Sequence, residues 1–200
     1  MKNIVLVDYP MDQCDVANEE LFPIINKIRK VVKIFRTSPT KNDDILQKHV
    51  TNKFGSTLSL ILDSKTRWNS LLAMLNRFFK LKSAVRKSLI DLNADINFSE
   101  NELKLVNEMI SALEPIKLAV ESLGLSDFTL LSANVTFKFM LDELSKQNTA
   151  LSRELQRELI TRIEERRTIY SDVLQFLQNP LEYETIKDSS NYGLFNKLKK

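Results

Sequence analysis

The stretch Thr66–Leu92, TRWNSLLAMLNRFFKLKSAVRKSLIDL, carries the clearest structural signal in this 200-residue chain. Its apolar residues recur every three or four positions, which is the spacing of one face of an α-helix. These residues are Trp68, Leu71, Leu72, Leu75, Phe78, Phe79, Leu81, Val85 and Leu89. The pattern predicts a long helix with one buried face.

The same helical spacing recurs on both sides of this stretch. It predicts five further helices, roughly over residues 18–36, 42–55, 99–124, 129–146 and 150–177. Weak alternation in Leu58–Leu62 leaves a short strand or an extended link open there. The chain holds only three glycines, which argues against a turn-rich β-sandwich or barrel. We therefore predict an all-α fold, an irregular multi-helix bundle.

Local signals mark several helix ends. Asn18 and Asn42 are candidate N-caps, and Gly55 is a candidate C-cap. The sequence Ser99-Glu100-Asn101-Glu102 reads as a capping box, in which a serine hydroxyl and a glutamate carboxylate bond the free amides of the first turn. Pro115 lacks an amide and clashes with the preceding turn, so we expect a kink or a break there.

An Arg-Trp pair stands at the start of the long helix. The segment Asp63–Ser70, DSKTRWNS, together with the following Met74-Leu75-x-Arg77-Phe78, resembles the Arg-Trp motif of hAT-superfamily transposases. Residues 28–39, and shorter segments at 113–115, 121–123 and 162–167, look like further landmarks of that family. The resemblance covers roughly residues 21–180. It implies an all-helical insertion domain in which Trp68 works against an unstacked base beside the cut DNA end.

The resemblance also indicates what is missing. An active transposase of this kind would carry three catalytic carboxylates on an RNase H-like core, holding two metal ions. We expect this chain to begin and end inside the insertion domain, without that core. Cys14-Asp15-Val16-Ala17 has alanine where the family's Cys-x-x-His pair has histidine, and one cysteine with one histidine gives no zinc-finger spacing. Asp8 is a lone candidate carboxylate. We predict no catalysis, no metal site and no cofactor.

The domain organisation follows from these observations. Residues 1–17 are predicted to be a leader, either a short strand or disordered, and residues 18–180 the helical domain. Residues 181–200 are predicted to be a loosely ordered tail. The longest apolar runs are too short to cross a membrane, and a single cysteine fits a reducing compartment. We expect an intracellular, nuclear protein, and the sequence leaves its oligomeric state open.

Charge is strongly segregated along the chain. Residues 21–90, the basic block, carry a net charge of +12, whereas residues 91–147, the acidic segment, carry −6. A positive field of that size attracts polyanions, so DNA is the expected partner. Alternatively, the acidic segment folds back and neutralises the block. The candidate nucleic-acid-binding residues are Arg67, Trp68, Arg77, Lys80, Lys82, Arg86 and Lys87.

Three functions remain open at this point. The leading one is a non-catalytic remnant of a hAT-like transposase that binds nucleic acid. The second is a protein–protein interaction module that docks partners through its basic third and acidic fourth helices. The third is a fragment of a longer, active transposase. Trp68 itself has two open roles, base stacking or core packing, because its spacing to Leu71 and Leu72 places the indole on the core face.

Overall fold

The computed structural model describes residues 17–64, 68–124 and 129–166, together with residues 173, 176, 177, 180 and 181. Six α-helices lie in these residues, and none of the described residues forms an extended strand. The helices are α1 Ala17–Arg36, α2 Gln47–Phe54, α3 Trp68–Asp91, α4 Glu100–Leu123, α5 Leu130–Lys146 and α6 Ala150–Arg166. A π-helical turn, Lys41–Leu46, runs directly into α2. The predicted all-α, multi-helix fold is confirmed.

The chain divides into two compact units, Met1–Ile110 and Ser111–Lys200. The first half of α4 belongs to the first unit and its second half to the second. The predicted leader and tail lie almost wholly outside the described residues, so the domain limits at 17 and 180 stay predictions. Within the part of the chain that is described, no helix is long and apolar enough to cross a membrane.

The first unit has a dense apolar core. Side chains at most 1 % exposed come from α1, the π-helical turn, α2, the link after α2, and α3: Ile28, Val31, Val32, Phe35, Leu46, Val50, Leu60, Met74, Leu75, Phe78, Leu81 and Val85. Each such side chain contributes roughly 1.5–3 kcal/mol by leaving water. The predicted stripe of α3 is buried as expected, with Leu71 and Phe79 only partly covered. The side chain of Trp68 lies outside the described residues.

The predicted helix ends hold only in part. Gly55 is the C-cap of α2, with the φ of 71° that favours glycine, and Ser99 and Glu102 exchange the two capping-box hydrogen bonds at 2.8 and 3.2 Å. The two asparagine caps are wrong. Asn18 is itself helical because α1 already includes Ala17. Asn42 lies inside the π-helical turn, where its amide donates to Asp43 instead of capping.

The link between α2 and α3 is extended without being a strand. The buried Gln47 side chain bonds both backbone groups of Leu58, its amide donating to the carbonyl at 3.2 Å and its oxygen accepting from the N–H at 3.1 Å. Arg77 donates to the Ser59 carbonyl at 2.9 Å. Side chains of α2 and α3 thus supply hydrogen bonds to the backbone of the link, as a neighbouring strand would in a sheet.

Proline does not break α4. The helix is continuous from Glu100 to Leu123 with Pro115 inside it, so a break is wrong, and the other expectation, a kink, stays a prediction. Proline at 115 deprives the Ser111 carbonyl of its usual helical N–H donor. The side-chain amide of Gln147, at the C-terminal end of α5, donates to that carbonyl at 2.7 Å. A side chain distant in sequence therefore supplies the hydrogen bond that proline removes.

The second unit has a smaller described core. Ala119, Met140 and Leu141 are buried there, and partly buried side chains of α4, α5 and α6 pack against them: Ile116, Phe137, Leu159, Ile160 and Ile163. The start of α6 is capped by Thr149 and Ser152, which exchange hydrogen bonds at 3.0 and 3.2 Å. The continuous described part of α6 ends at Arg166; Val173, Phe176 and Leu177 are also helical, and the residues between are outside the described ones.

Candidate nucleic-acid interface

The Arg-Trp motif begins at an aspartate that α1 holds in place. The guanidinium of Arg29 donates from Nε to both carboxylate oxygens of Asp63, at 3.0 and 2.9 Å, and from Nη2 to Oδ2 at 2.5 Å. The Asp63 side chain is only 8 % exposed. Charge-assisted, multiply bonded pairs of this kind fix orientation as well as distance. The start of the motif is therefore positioned by a residue of the basic block.

A second interaction ties the entry segment to α3. The hydroxyl of Ser70 accepts from the N–H of Ser64 at 2.8 Å and donates to the carbonyl of the same residue at 2.9 Å. Residues 65–67 and the side chain of Trp68 lie between these fixed points and outside the described residues. The predicted roles of Arg67 and Trp68 consequently stay predictions, although the backbone of Trp68 is the first residue of α3.

The Arg77 side chain makes a hydrogen bond within the fold. It is half-buried, and its Nη1 donates to the Ser59 carbonyl. That bond orients the guanidinium towards the link between α2 and α3. Its place in a nucleic-acid site stays a prediction.

The other four predicted cations lie on α3 along two separate edges. At 100° per residue, Lys80 and Lys87 are about 20° apart, and Lys82 and Arg86 about 40° apart, while the two pairs are separated by more than about 100°. All four side chains are exposed. Lys80 lies beside α2, with its Nζ 5.9 Å from the centre of the Phe54 ring, and Lys53 of α2 lies 5.3 Å from the same ring.

The second edge of α3 borders a cavity. Lys82 stands over the ring of Phe79, with 3.8 Å between Nζ and the ring centre. Lys82 and Arg86 both line a cavity of about 440 Å³ between α3 and the start of α4. The structure therefore distributes the four predicted cations of α3 over two different surroundings.

The predicted set omitted a basic groove on α1, which we call the α1 groove. Its lining includes Arg29, Lys30 and Lys33 of α1, and Lys41 of the π-helical turn, around a volume of about 460 Å³. Lys30, Lys33 and Lys41 are exposed, and none of them pairs with a carboxylate among the described residues. The spacing of Lys30 and Lys33 at i, i+3 on the polar side of amphipathic α1 was the available signal.

An aromatic side chain accompanies the α1 groove. Phe22, 51 % exposed, lies seven residues before Arg29 and therefore about 20° from it around α1. Phe22 does not line the groove and lies about two turns, or about 10 Å, along the helix from Arg29; an exposed ring on the same side of a helix as cations is a composition found on surfaces that stack bases while binding the phosphate backbone. Phe22 was not among the predicted site residues.

Within the first unit, two described pairs join the basic block to the acidic segment. Lys27 pairs with Glu102 at 2.7 Å, and His49 lies 2.6 Å from Asp91. The other described ion pairs of the acidic segment join its own members, such as Lys104 with Glu108. The alternative in which the acidic segment folds back and neutralises the block stays a prediction.

The Lys27–Glu102 pair changes the pKa of the Glu102 carboxyl group. Partial burial opposes ionisation of Glu102, but the hydrogen bond and charge of Lys27 and the backbone N–H of Ser99 outweigh it. The pKa of Glu102 is therefore held below its usual value. This pair joins α1 to the first turn of α4 within the first unit.

The candidate reactive residues near the N-terminus lie outside the described residues. Asp8 and Cys14 both precede the described residues. In the ranges that are described, no three His, Cys, Asp or Glu side chains are grouped to hold a metal ion. His49 lies at a contact between α2 and α3, with its Nε2 2.6 Å from Asp91 Oδ2.

Comparisons with known proteins agree with the sequence resemblance at a coarse level. Residues 16–112 match the family model described as the ZBED1 RNase-like helical domain, a region that nearly coincides with the first compact unit. A protein of Talaromyces stipitatus named "Putative transcriptional regulator tpeD" is 26 % identical over 137 residues, which cover 68 % of this chain and 16 % of that protein. No solved structure matches. The first unit is thus similar to a ZBED1-type helical domain, which is consistent with a hAT-like origin.

Proposed function

We propose that this chain is a transposase-derived, non-catalytic module that binds DNA through the basic surface of its first unit. The observation that carries the proposal is the α1 groove. Three exposed lysines without carboxylate partners among the described residues line it, and Arg29 of the same groove holds the first residue of the Arg-Trp motif. Phosphate contacts and the aromatic of the motif would then belong to one surface.

Physical considerations support phosphates as the ligand of this groove. Unpaired ammonium groups on a helix face contribute little to folding, but each one that contacts a phosphate releases a condensed counterion from DNA. The exposed Phe22 ring adds a surface on which an unpaired base can stack. Lys80 and Lys87 on the first edge of α3 extend the positive surface of the same unit. The regulatory role in the fungal relative's name, and a nuclear location, fit a module of this kind.

The test is a salt titration with the whole chain. Binding to a fluorescent DNA duplex with an unpaired overhang is measured by anisotropy between low and moderate salt. Lys30→Gln, Lys33→Gln and Lys41→Gln together should flatten the slope of log K against log salt by about one unit per lost contact. The matched control is the triple Lys104→Gln, Lys117→Gln, Lys146→Gln, which removes the same charge from ion-paired lysines. Equal slopes for the two triples, or no binding at low salt, would overturn the proposal.

The predicted α3 cations have their own test in the same assay. Replacing Lys80, Lys82, Arg86 and Lys87 with glutamine should flatten the slope by about one unit for each that contacts a phosphate. Comparing Lys80/Lys87 with Lys82/Arg86 separates the two edges of the helix. Binding that depends on neither pair would confine the DNA contact to the α1 groove.

The Arg-Trp motif is tested by two substitutions. Arg67→Ala should lower DNA affinity with little loss of stability. Trp68→Ala should lower both, because a stacking aromatic contributes roughly 1–3 kcal/mol to binding unpaired bases and a core tryptophan roughly 3–5 kcal/mol to folding. If Trp68→Ala leaves the melting temperature intact and removes the preference for unpaired DNA, the stacking role stands. If it only unfolds the protein, Trp68 is a core residue.

Absence of catalysis is part of the proposal and rests on the sequence. Asp8 is the single candidate carboxylate, and no partner can be assigned to it. The chain should therefore neither cleave nor join DNA in Mg²⁺ or Mn²⁺, whether or not it binds. Metal-dependent cleavage abolished by Asp8→Ala would show that the chain carries its own active site.

A further inference from the structure

A cavity beside the second edge of α3 has a construction suited to a ligand of a different kind from DNA. It measures about 440 Å³ and lies within the first unit, between α3, the α3–α4 turn and the first turns of α4. Its lining is mostly apolar, with the buried Phe78 and the half-buried Phe98 among its walls. The two rings pack against each other with centres 4.9 Å apart. A volume of this order is typical of binding pockets.

The walls of the cavity are held by backbone hydrogen bonds. Asn93 adopts the left-handed conformation, with φ 48°, at the end of α3. The N–H of Asn93 donates to Ile90 at 2.9 Å, and that of Ala94 to Leu89 at 3.0 Å. These bonds form a Schellman motif, whose hydrophobic pair here is Leu89 with Ala94. Both side chains line the cavity, so the turn that ends α3 also shapes the pocket before any ligand arrives.

The mouth of the cavity combines charge with exposed apolar surface. Lys82 and Arg86 line it from α3, are exposed, and have no carboxylate partner among the described residues. Glu100 lines it from the α4 side. Ile90, also in the lining, is 67 % exposed, so apolar surface continues from the cavity onto the outside of the helix.

We propose that this cavity docks an acidic peptide segment of a partner protein, which inserts one large apolar side chain and places carboxylates against Lys82 and Arg86. Charge complementarity selects the acidic flanks, since the α3 side of the mouth is doubly positive. The exposed Ile90 argues for a peptide over a compact small molecule, because only a longer ligand would cover it as well. The apolar walls offer few hydrogen-bond partners for the edges of a nucleobase.

The test uses the whole chain and three synthetic peptides. The probe is a fluorescein-labelled 12-residue peptide of about two thirds Glu and Asp with a central Trp-Leu pair, of the length that ordinary peptide-docking grooves accept. One comparison peptide has Ser-Ser at the centre, and the other has Lys in place of every acid. Wild-type protein should bind the first peptide at least about tenfold more tightly than either of the others.

Variants assign the binding to the cavity. Lys82→Glu with Arg86→Glu should weaken peptide binding about tenfold or more, whereas Lys80→Glu with Lys87→Glu, the same charge change on the other edge, should leave it within about twofold. Ile90→Ser, at an exposed position that contributes little to the core, should weaken the Trp-Leu peptide and not the Ser-Ser peptide. Melting temperatures verify that each variant is folded.

Specific outcomes would overturn the proposal. Equal losses from the two charge-reversal pairs, or equal binding of the Trp-Leu and Ser-Ser peptides, would show general electrostatic attraction without use of the cavity. Competition by a single-stranded oligonucleotide that Ile90→Ser abolishes would show that the cavity accepts a base instead. Because these readouts use peptides, failure of the DNA-binding proposal leaves them unaffected.

Discussion

The two compact units differ in how completely their described residues bury apolar surface. In the first, thirteen described apolar side chains that are at most 1 % exposed come from α1, the π-helical turn, α2, the link after α2, α3 and the first half of α4. In the second, two described apolar side chains, Ala112 and Leu144, reach this level; Ala119, Met140 and Leu141 are 2–3 % exposed, and α5 exposes Val135 and Phe139 by about half. The match to a known helical domain falls almost entirely on the first unit. Dense packing and a recognisable sequence pattern thus coincide, since a crowded core tolerates fewer changes.

The largest expected effect compares the two cores directly. Phe35→Ala should lower the unfolding free energy of the first unit by about 3–5 kcal/mol, because a fully enclosed ring leaves a cavity that cannot collapse. Leu141→Ala should cost about 2–3 kcal/mol in the second unit, where partly exposed neighbours such as Phe137 are free to relax. Urea unfolding followed by circular dichroism measures both losses. A larger loss for Leu141→Ala would reverse the comparison.

The second prediction concerns the ion pair at the start of the motif. Asp63→Asn should destabilise the first unit by about 1.5–3 kcal/mol, because the part-buried Arg29 loses the charge of its multiply bonded partner. DNA affinity should fall as well if the motif must be held near the α1 groove. Asp95→Asn, an exposed acid with no described ion pair, is the control for the loss of one negative charge. Unchanged stability would mean that water replaces the pair without cost.

The third prediction concerns the hydrogen bond across the proline in α4. Gln147→Ala should cost about 0.5–1.5 kcal/mol, since the Ser111 carbonyl then has no protein donor. In a Pro115→Ala background the backbone N–H returns, so the same substitution should cost measurably less. The double-mutant cycle isolates this coupling from the separate effects of each change. Strict additivity would show that the side-chain amide does not compensate for the proline.

The smallest expected effect is a pH dependence confined to the first unit. The pKa of Glu102 is lower in the folded protein than in the unfolded chain, so its contribution is complete above the unfolded value, about 4.3, and disappears as pH falls through the lower folded value. Glu102→Gln should remove part of the loss of stability seen on acidification below about pH 5. Lys27→Met should also remove part of that loss of stability, because it removes the charge that lowers the pKa of Glu102. An identical acid profile for wild type and both variants would contradict this assignment.

The sequence predicted the helices well, and their ends less so. Periodicity identified α3 to within two residues, and the Ser99–Glu102 capping box and the Gly55 cap were visible because each depends on neighbouring residues alone. The Asn42 cap failed because the π-helical turn extends the helix beyond it. The break expected at Pro115 is absent, and the Gln147 side chain that bonds the freed Ser111 carbonyl is too distant in sequence to have been recognised. Local rules succeed where the interaction partners are local.

The candidate site, like the helix ends, could be predicted only where the interacting residues are close in sequence. Net charge located the basic block, but it did not separate the two edges of α3 or identify the α1 groove. Those distinctions depend on which lysines have neighbours, such as Lys53 and Lys80 beside Phe54, and the relevant contacts join different helices. The cavity near Phe98 was equally invisible, since it arises where a turn brings α4 back to α3.

The hydrogen bond from Gln147 to the carbonyl beside Pro115 has an evolutionary consequence. A proline in the middle of a helix costs less while a protein donor bonds the freed carbonyl, so the two positions are expected to change together in descendants of the same ancestor. Lineages that replace Pro115 with an ordinary residue would be free to lose the amide at 147, whereas lineages that lose the amide first would be under pressure to lose the proline. The order of those two changes would then record which substitution the fold was able to accept.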